Sequence, residues 1–239
     1  MRSVARRAQD FVLGVLVSGS GTNLQAVIDA VYSGRLRATI GVVISNVATA
    51  KALDRARAAG ILTVVIDHKA YPSREAFDAA VVESLRGNCV DCVVLAGFMR
   101  LITPVLLDAF PHRVVNIHPA LLPAFPGVQA QAQALAYGVR VTGCTVHLVD
   151  AGMDTGPILA QATVPVLDGD DEDTLRERIL VKEHELLPAV LQWIADGRVE
   201  VVPAPSDAAG GTKAGRPTVR IHAHGSAPPP PRNADPTAR

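Results

Sequence analysis

Asn116 and His118 stand two residues apart, directly after the apolar run Arg113-Val114-Val115, in the segment Asn-Ile-His-Pro-Ala-Leu-Leu-Pro over 116–123. If that run is a strand, residues i and i+2 face the same side, so an amide and an imidazole emerge together at its end. A carboxylate follows in Asp-Ala-Gly-Met-Asp-Thr-Gly-Pro over 150–157, where Asp154 lies in a Gly-rich loop. These are the groups that acyl transfer requires: donors for an oxyanion and a residue that moves a proton. A carboxylate against His118 would favour the imidazolium, and the rate should then fall as that proton is lost at high pH. Pro119 and Pro123 stiffen the segment that follows. The same residues also fit a strand-to-loop exit meeting water, and Asp154 a solvated turn.

A second chemical signal is Ser-Gly-Ser-Gly-Thr-Asn over 18–23, between an apolar run and an amphipathic one. A glycine-rich turn from strand to helix presents backbone N–H groups and the positive helix end to a phosphate. The Walker pattern needs Gly-Lys-Ser/Thr, and no lysine is here. The dinucleotide fingerprint needs a third glycine where Leu24 stands. It also needs an acidic residue after the second strand, where Ser45-Asn46 stands. A phosphate monoester fits better than a nicotinamide dinucleotide; a tight turn with no ligand is the other reading. Cys89-Val90-Asp91-Cys92 matches C-x-x-C, but no second pair exists and Cys92 opens an apolar run. Both cysteines are read as small residues at a helix-to-strand junction, not as a redox or zinc site. His222 and His224 form an H-x-H pair that is not read as a metal site, so no metal is expected.

The elements that must hold these groups follow from the apolar runs. Strands are expected at Phe11–Val17, Thr39–Ser45, Leu62–Ile66, Cys92–Ala96 and Arg113–Asn116. Helices are expected at Thr22–Tyr32, about 49–59, and Ser73–Leu85 with Ser73 as its cap. Strand runs of Val, Ile and Leu without clean alternation suit burial on both faces. The βαβα rhythm predicts an α/β, Rossmann-like fold whose mainly parallel sheet is flanked by helices. After residue 140 the rhythm changes to a C-terminal antiparallel strand pair, Cys144–Val149 and Ile158–Pro165. A long helix then runs from Asp173 to about Asp196. Residues 1–10 read as a leader and 11–202 as one domain, with a phosphate-binding half to about 110 and a catalytic half beyond it. Residues 203–239 hold eight of the seventeen prolines and no apolar periodicity, so a disordered tail is expected.

Lys+Arg and Asp+Glu each number 23 in 239 residues. Such a balance supplies no field for nucleic acid or anionic membrane. No apolar stretch approaches the length of a membrane span. The first residues are basic but lack an apolar signal region. The expectation is a cytoplasmic protein acting on small molecules, as monomer or homodimer.

Five segments, taken in order, carry a resemblance. They are Val-Ser-Gly-Ser-Gly-Thr-Asn-Leu-Gln-Ala (17–26), Val-Ile-Ser-Asn (43–46), Val-Leu-Ala-Gly-Phe-Met-Arg (94–100), Asn-Ile-His-Pro-Ala-Leu-Leu-Pro (116–123), and the run from Val141 through Asp-Thr-Gly-Pro-Ile to 158. Over about residues 11–200 the chain resembles the folate-dependent phosphoribosylglycinamide formyltransferases of purine biosynthesis. The resemblance implies transfer of a formyl group from 10-formyltetrahydrofolate to the amine of phosphoribosylglycinamide. It implies that Gly21, Thr22 and Asn23 hold the ribose phosphate and that Glu183 contacts the glycinamide. Arg74, Met99, Arg100, Leu101 and Ile102 would meet the folate. Asn116 and His118 would polarise the formyl carbonyl as donors, with Asp154 paired to His118 and holding a water that carries the proton. It further implies a cis Leu122–Pro123 bond. His147 is read as a structural strand residue. Ala124 and Gln129 depart from the family, which often has a lysine and a histidine there, so they bear on secondary contacts. Related readings are a formyltetrahydrofolate hydrolase, a methionyl-tRNA formyltransferase, or a non-catalytic phosphate-binding module. The first two would bring an extra domain at one end or the other, and the last would bind without turnover.

Overall fold

The computed structural model describes residues 11–204 and 216–223. Seven strands form one sheet in the order β3-β2-β1-β4-β5-β6-β7. They are β1 (Phe11–Val17), β2 (Ala38–Ser45), β3 (Thr63–Val65), β4 (Cys92–Leu95), β5 (Val114–His118), β6 (Val141–Leu148) and β7 (Ile158–Pro165). The first five pair in parallel, and β6 and β7 run antiparallel. The expected α/β architecture is therefore the observed one. β1 is almost wholly buried, and β4 entirely so, as parallel strands covered on both faces must be.

Helices cover the two faces. α1 (Thr22–Tyr32), α2 (Lys51–Ala58) and the long α6 (Glu172–Ala195) lie over a core of Leu13, Val15, Leu24, Val27, Leu53, Val94, Leu187 and Leu191. α3 (Arg74–Gly87) and α4 (Pro104–Ala109) lie over Leu16, Val42, Ile44, Phe77, Val81, Leu85 and Leu106 on the other face. Local signals set the ends. Ser73 caps α3 by accepting from the Ala76 N–H, and Asp171 and Thr174 cap α6 reciprocally. Neither α4 nor α5 (Ala130–Tyr137) is among the expected helices; α4 buries only Leu106 and α5 only Ala130 and Ala134, so neither shows a readable apolar stripe.

The tail expectation requires a correction. β8 (Val199–Val202) and β9 (Thr218–Ile221) pair antiparallel as a separate two-stranded sheet. Val199, Val201 and Val219 pack on the first core, and the Arg198 guanidinium sits 5.7 Å over the Trp193 ring. Four residues among prolines and glycines give little local signal, so tertiary packing supplies the stability. The leader 1–10, the tail segments 205–215 and 224–239, and His224 with them, lie outside the described residues. Among the described residues no helix is long and apolar enough to cross a membrane.

The strand order determines where a ligand can bind. From β1 the chain moves outward to β2 and β3, then returns to β4 on the other side. At such a switch point the connections leave in opposite directions and open a crevice beyond the carboxyl ends of the strands. The turn after β1 and the loop after β4 meet there. The Ser18 N–H donates to the Gly97 carbonyl at 3.1 Å, and the Met99 N–H to Ser18 Oγ at 2.9 Å.

Candidate active site

The turn after β1 carries Gly21 as the N-cap of α1, at φ 73. A Cβ there would sit 2.6 Å from that of Ala52, so both the left-handed backbone and the close approach of α2 require glycine. α1 has no side-chain cap and no acidic residue in its first turn, which leaves its leading N–H groups open to an anion. Asn23, two residues on, turns inward. Its Nδ2 donates to Glu183 Oε2 at 2.7 Å across 160 residues of sequence. Glu183 is buried, and burial pushes its carboxyl pKa up against the lowering effect of Asn23. The residues expected to hold the substrate therefore converge.

The loop after β4 carries Met99, Arg100, Leu101 and Ile102. Its near end is stitched to Ser18. At its far end Thr103 donates both its N–H and its Oγ–H to Asp78 Oδ2 at 2.7 Å. Between these pins Met99 and Leu101 are 70% and 52% exposed, an apolar surface held open beside the crevice. Arg100 lies 5.3 Å over the Phe77 ring, which stacks on Phe98. Arg74 is exposed at the first turn of α3. Ser18 Oγ–H donates to Asn46 Oδ1 at 2.6 Å, and Asn46 Nδ2 lies 3.3 Å from His68 Nδ1.

β5 runs through to His118, two residues past the expected end, and pairs with β6 so that Asn116 faces His147 and His118 faces Thr145. This register places four polar side chains on one face. His118 Nε2 lies 2.8 Å from the Phe125 carbonyl oxygen, which only accepts, so Nε2 carries a proton. The other nitrogen, Nδ1, lies 3.3 Å from Asp154 Oδ2. Asp154 Oδ2 also accepts from the Gly127 N–H at 2.8 Å. Its Oδ1 is 3.5 Å from Asn116 Nδ2 and 3.6 Å from His147 Nε2. His147 Nδ1 is 2.9 Å from the Leu148 carbonyl, which fixes its proton there and leaves Nε2 to accept from Asn116 Nδ2 at 3.1 Å. The expected Asn116, His118 and Asp154 thus meet. His147, expected as a structural strand residue, joins them because only the strand register reveals that it stands opposite Asn116.

Asp154 reaches this face through its turn. It takes φ 53, a left-handed conformation that Asp tolerates better than most residues. Gly156 lets the turn fold back on β6, since a Cβ at that position would collide with the Leu148 carbonyl oxygen. Thr145, fully buried, holds the segment after His118: its Oγ–H donates to the Ala120 carbonyl at 2.7 Å and its Oγ accepts from the Leu122 N–H at 3.0 Å. The Leu122–Pro123 peptide is cis. Ala124 and Gln129 lie in this same segment.

The electrostatics reverse one expectation. Burial lowers the His118 pKa below its ordinary value, and it outweighs the upward pull of the Phe125 carbonyl and of Asp154. A charged imidazole held by Asp154 is therefore not the resting state at neutral pH. Only 4% of His118 is exposed, so the lost hydration of a cation outweighs one carboxylate at 3.3 Å. Burial also raises Asp154. Hydrogen bonding to the carboxylate, the Gly127 N–H at 2.8 Å foremost, more than offsets this and keeps Asp154 ionised, its pKa lowered. Cys92 is buried and its thiol is pushed up to about 12, which makes it inert at neutral pH.

Comparisons with known proteins agree with this geometry. The sequence profile described as formyl transferase matches residues 13–191. The phosphoribosylglycinamide formyltransferase of Escherichia coli K12 is 44% identical over 187 residues, 78% of this chain and 88% of that protein. The protein of the same name from Mycobacterium tuberculosis H37Rv is 49% identical over 191 residues, 80% of this chain and 87% of that one. The crystal structure of glycinamide ribonucleotide transformylase 1 from Symbiobacterium toebii superposes with a TM-score of 0.83 at 49% identity, covering 93% of this chain and 99% of its own. With a family profile over most of the domain and relatives alike along nearly their full length, the chain belongs to the formyl transferase family, among the phosphoribosylglycinamide formyltransferases.

Proposed function

We propose that the chain transfers the formyl group of 10-formyltetrahydrofolate to the amine of phosphoribosylglycinamide. The observation that carries this reading is the convergence of Asn116, His118 and Asp154 at the carboxyl end of β5, beside the turn after β1 and the loop after β4. The phosphate lies on Gly21, Thr22 and Asn23, and the glycinamide extends toward Glu183. The folate lies along Met99, Arg100, Leu101 and Ile102, with Arg74 at its outer end. Both substrates are small, and neither calls for a metal.

The amine attacks the formyl carbon and charge builds on the formyl oxygen. Asn116 Nδ2 supports that oxygen: its bond to Asp154 is long at 3.5 Å, so this N–H is loosely held and free to turn. One donor of this kind lowers the barrier by roughly 3–4 kcal/mol. His118 enters neutral, with Nε2–H committed to Phe125, so Nδ1 is the working atom. It takes the proton released by the attacking amine, and Asp154 stabilises the imidazolium that forms. The same proton then passes to the leaving folate nitrogen as its bond to the formyl carbon breaks. No bond to the protein is formed. This differs from a permanently charged His118 and follows from its burial.

The test is formyl transfer by the purified protein with both substrates, against hydrolysis of the folate alone. Transfer that needs the amine substrate, and is lost in His118→Ala while the nucleotide still binds, is the expected result. Absence of transfer by the wild type refutes the reading, and folate hydrolysis without the amine substrate points to the hydrolase instead.

A further inference from the structure

The turn after β1 has no cation of its own: Ser18 to Asn23 contains neither lysine nor arginine, and Asn23 Nδ2 is engaged by Glu183. A phosphate monoester brings nearly two negative charges, and N–H groups at a helix end carry only partial positive charge. The neighbouring helix supplies what is missing. α2 packs on the turn, with Ala52 against Gly21 and the Ala52 N–H donating to the Gly19 carbonyl at 3.1 Å. One turn along α2, Arg55 donates through Nε to the Ser20 carbonyl at 2.9 Å and through Nη1 to Gln25 Oε1 at 3.3 Å. The guanidinium is thereby pinned beside the turn, with Nη2 uncommitted and no carboxylate at ion-pair distance among the described residues. It borders an open cavity of about 270 Å³ shared with Thr22, Gln25, Asp29, Arg35 and His184. The one acid there, Asp29, accepts from Gln25 Nε2 at 2.9 Å. The other arginine lining the cavity, Arg35, is exposed and donates through Nε to Ser33 Oγ at 3.1 Å.

We propose that Arg55 is the charged partner of the substrate phosphate, reaching the monoester from α2 while the turn presents its N–H groups. This rests on the reading of the Gly21–Asn23 turn as the phosphate seat. A planar guanidinium with one edge fixed to the Ser20 carbonyl offers its remaining N–H groups at little ordering cost. Its charge borders the same cavity as Thr22 at the start of α1, so the phosphate lies toward α2 while the amine extends toward Glu183.

The test compares Arg55→Met, which keeps much of the stem, and Arg55→Lys, which keeps the charge. Each is assayed with phosphoribosylglycinamide and with the same compound lacking its phosphate. Arg55→Met should raise KM for the phosphorylated substrate about 10- to 100-fold, the range of one charged hydrogen-bonded contact. The preference for the phosphorylated over the dephosphorylated compound, in kcat/KM, should collapse by a similar factor. Arg55→Lys should recover part of it. Inorganic phosphate should inhibit the wild type competitively and the Met variant more weakly. If Arg55→Met lowers kcat/KM equally for both compounds, Arg55 only braces the turn and the proposal is overturned; an unchanged preference overturns it as well. Failure of the wild type to formylate either compound is a separate result, and it removes the functional reading beneath the proposal.

Discussion

Replacing Asp154 with Asn tests the site at its centre. The carboxylate side chain is 13% exposed and its Oδ2 lies 3.3 Å from His118 Nδ1. Unit charges at that separation attract by about 5 kcal/mol at an effective dielectric of 20. In the reaction proposed above, this is the stabilisation available to the imidazolium formed when His118 takes the amine proton. Asn keeps an oxygen for the Gly127 N–H but removes the charge, and solvent entering the site restores part of the loss. The expected result is a fall in kcat of about 10²- to 10³-fold, or roughly 3–4 kcal/mol of barrier, with KM for both substrates within about threefold of wild type. Single-turnover formyl transfer at saturating substrate is the assay, because product release then cannot mask the chemical step. A fall of less than tenfold, or a change carried by KM, would refute the argument that Asp154 acts on charge developed in the reaction.

Three further outcomes can be measured. The folded pKa of His118 is lowered by burial, so a ring-resolved NMR titration should place its midpoint below 6.5. By the same sign, the contribution of this group to stability is full above that value and is lost as pH falls through the folded pKa; a midpoint above 6.5 would restore the charged imidazole. Glu183→Gln should raise Tm at pH 7, because the raised carboxyl pKa marks a charge that burial disfavours. Each kcal/mol released corresponds to about 2–4 °C at this chain length. KM for the amine substrate should rise at the same time, and a lower Tm would contradict the burial argument. Thr145→Val should destabilise the fold by about 1–3 kcal/mol in denaturant unfolding, since it strands the Leu122 N–H in the interior; an unchanged midpoint would mean that water reaches that group.

Much of the architecture was legible because the parallel strands are continuous apolar runs: β1, α1 and β7 have the bounds read from the sequence alone. The misses have physical reasons. α4 buries one residue and α5 two alanines, so neither shows an apolar stripe. β9 owes its existence to β8 and to the surface beneath β8, neither of which is local to it. At the site, the spacing of Asn116 and His118 was readable because a strand alternates. His147 was not, because cross-strand register is a long-range property. The sign of the His118 shift differs from the expected one for a related reason: a partner can be named from the sequence, but the depth of burial opposing it cannot.

The hydrogen bond from His118 to the Phe125 carbonyl leaves the imidazole with a single exchange port. A ring with both nitrogens available can take a proton at one edge and deliver it at the other, so its two reactants can stand on opposite sides. In the reaction proposed above, the proton arrives and departs at Nδ1. The attacking amine and the departing nitrogen of the donor would then visit the same edge in succession, and the tetrahedral intermediate would have to live long enough to pivot between them.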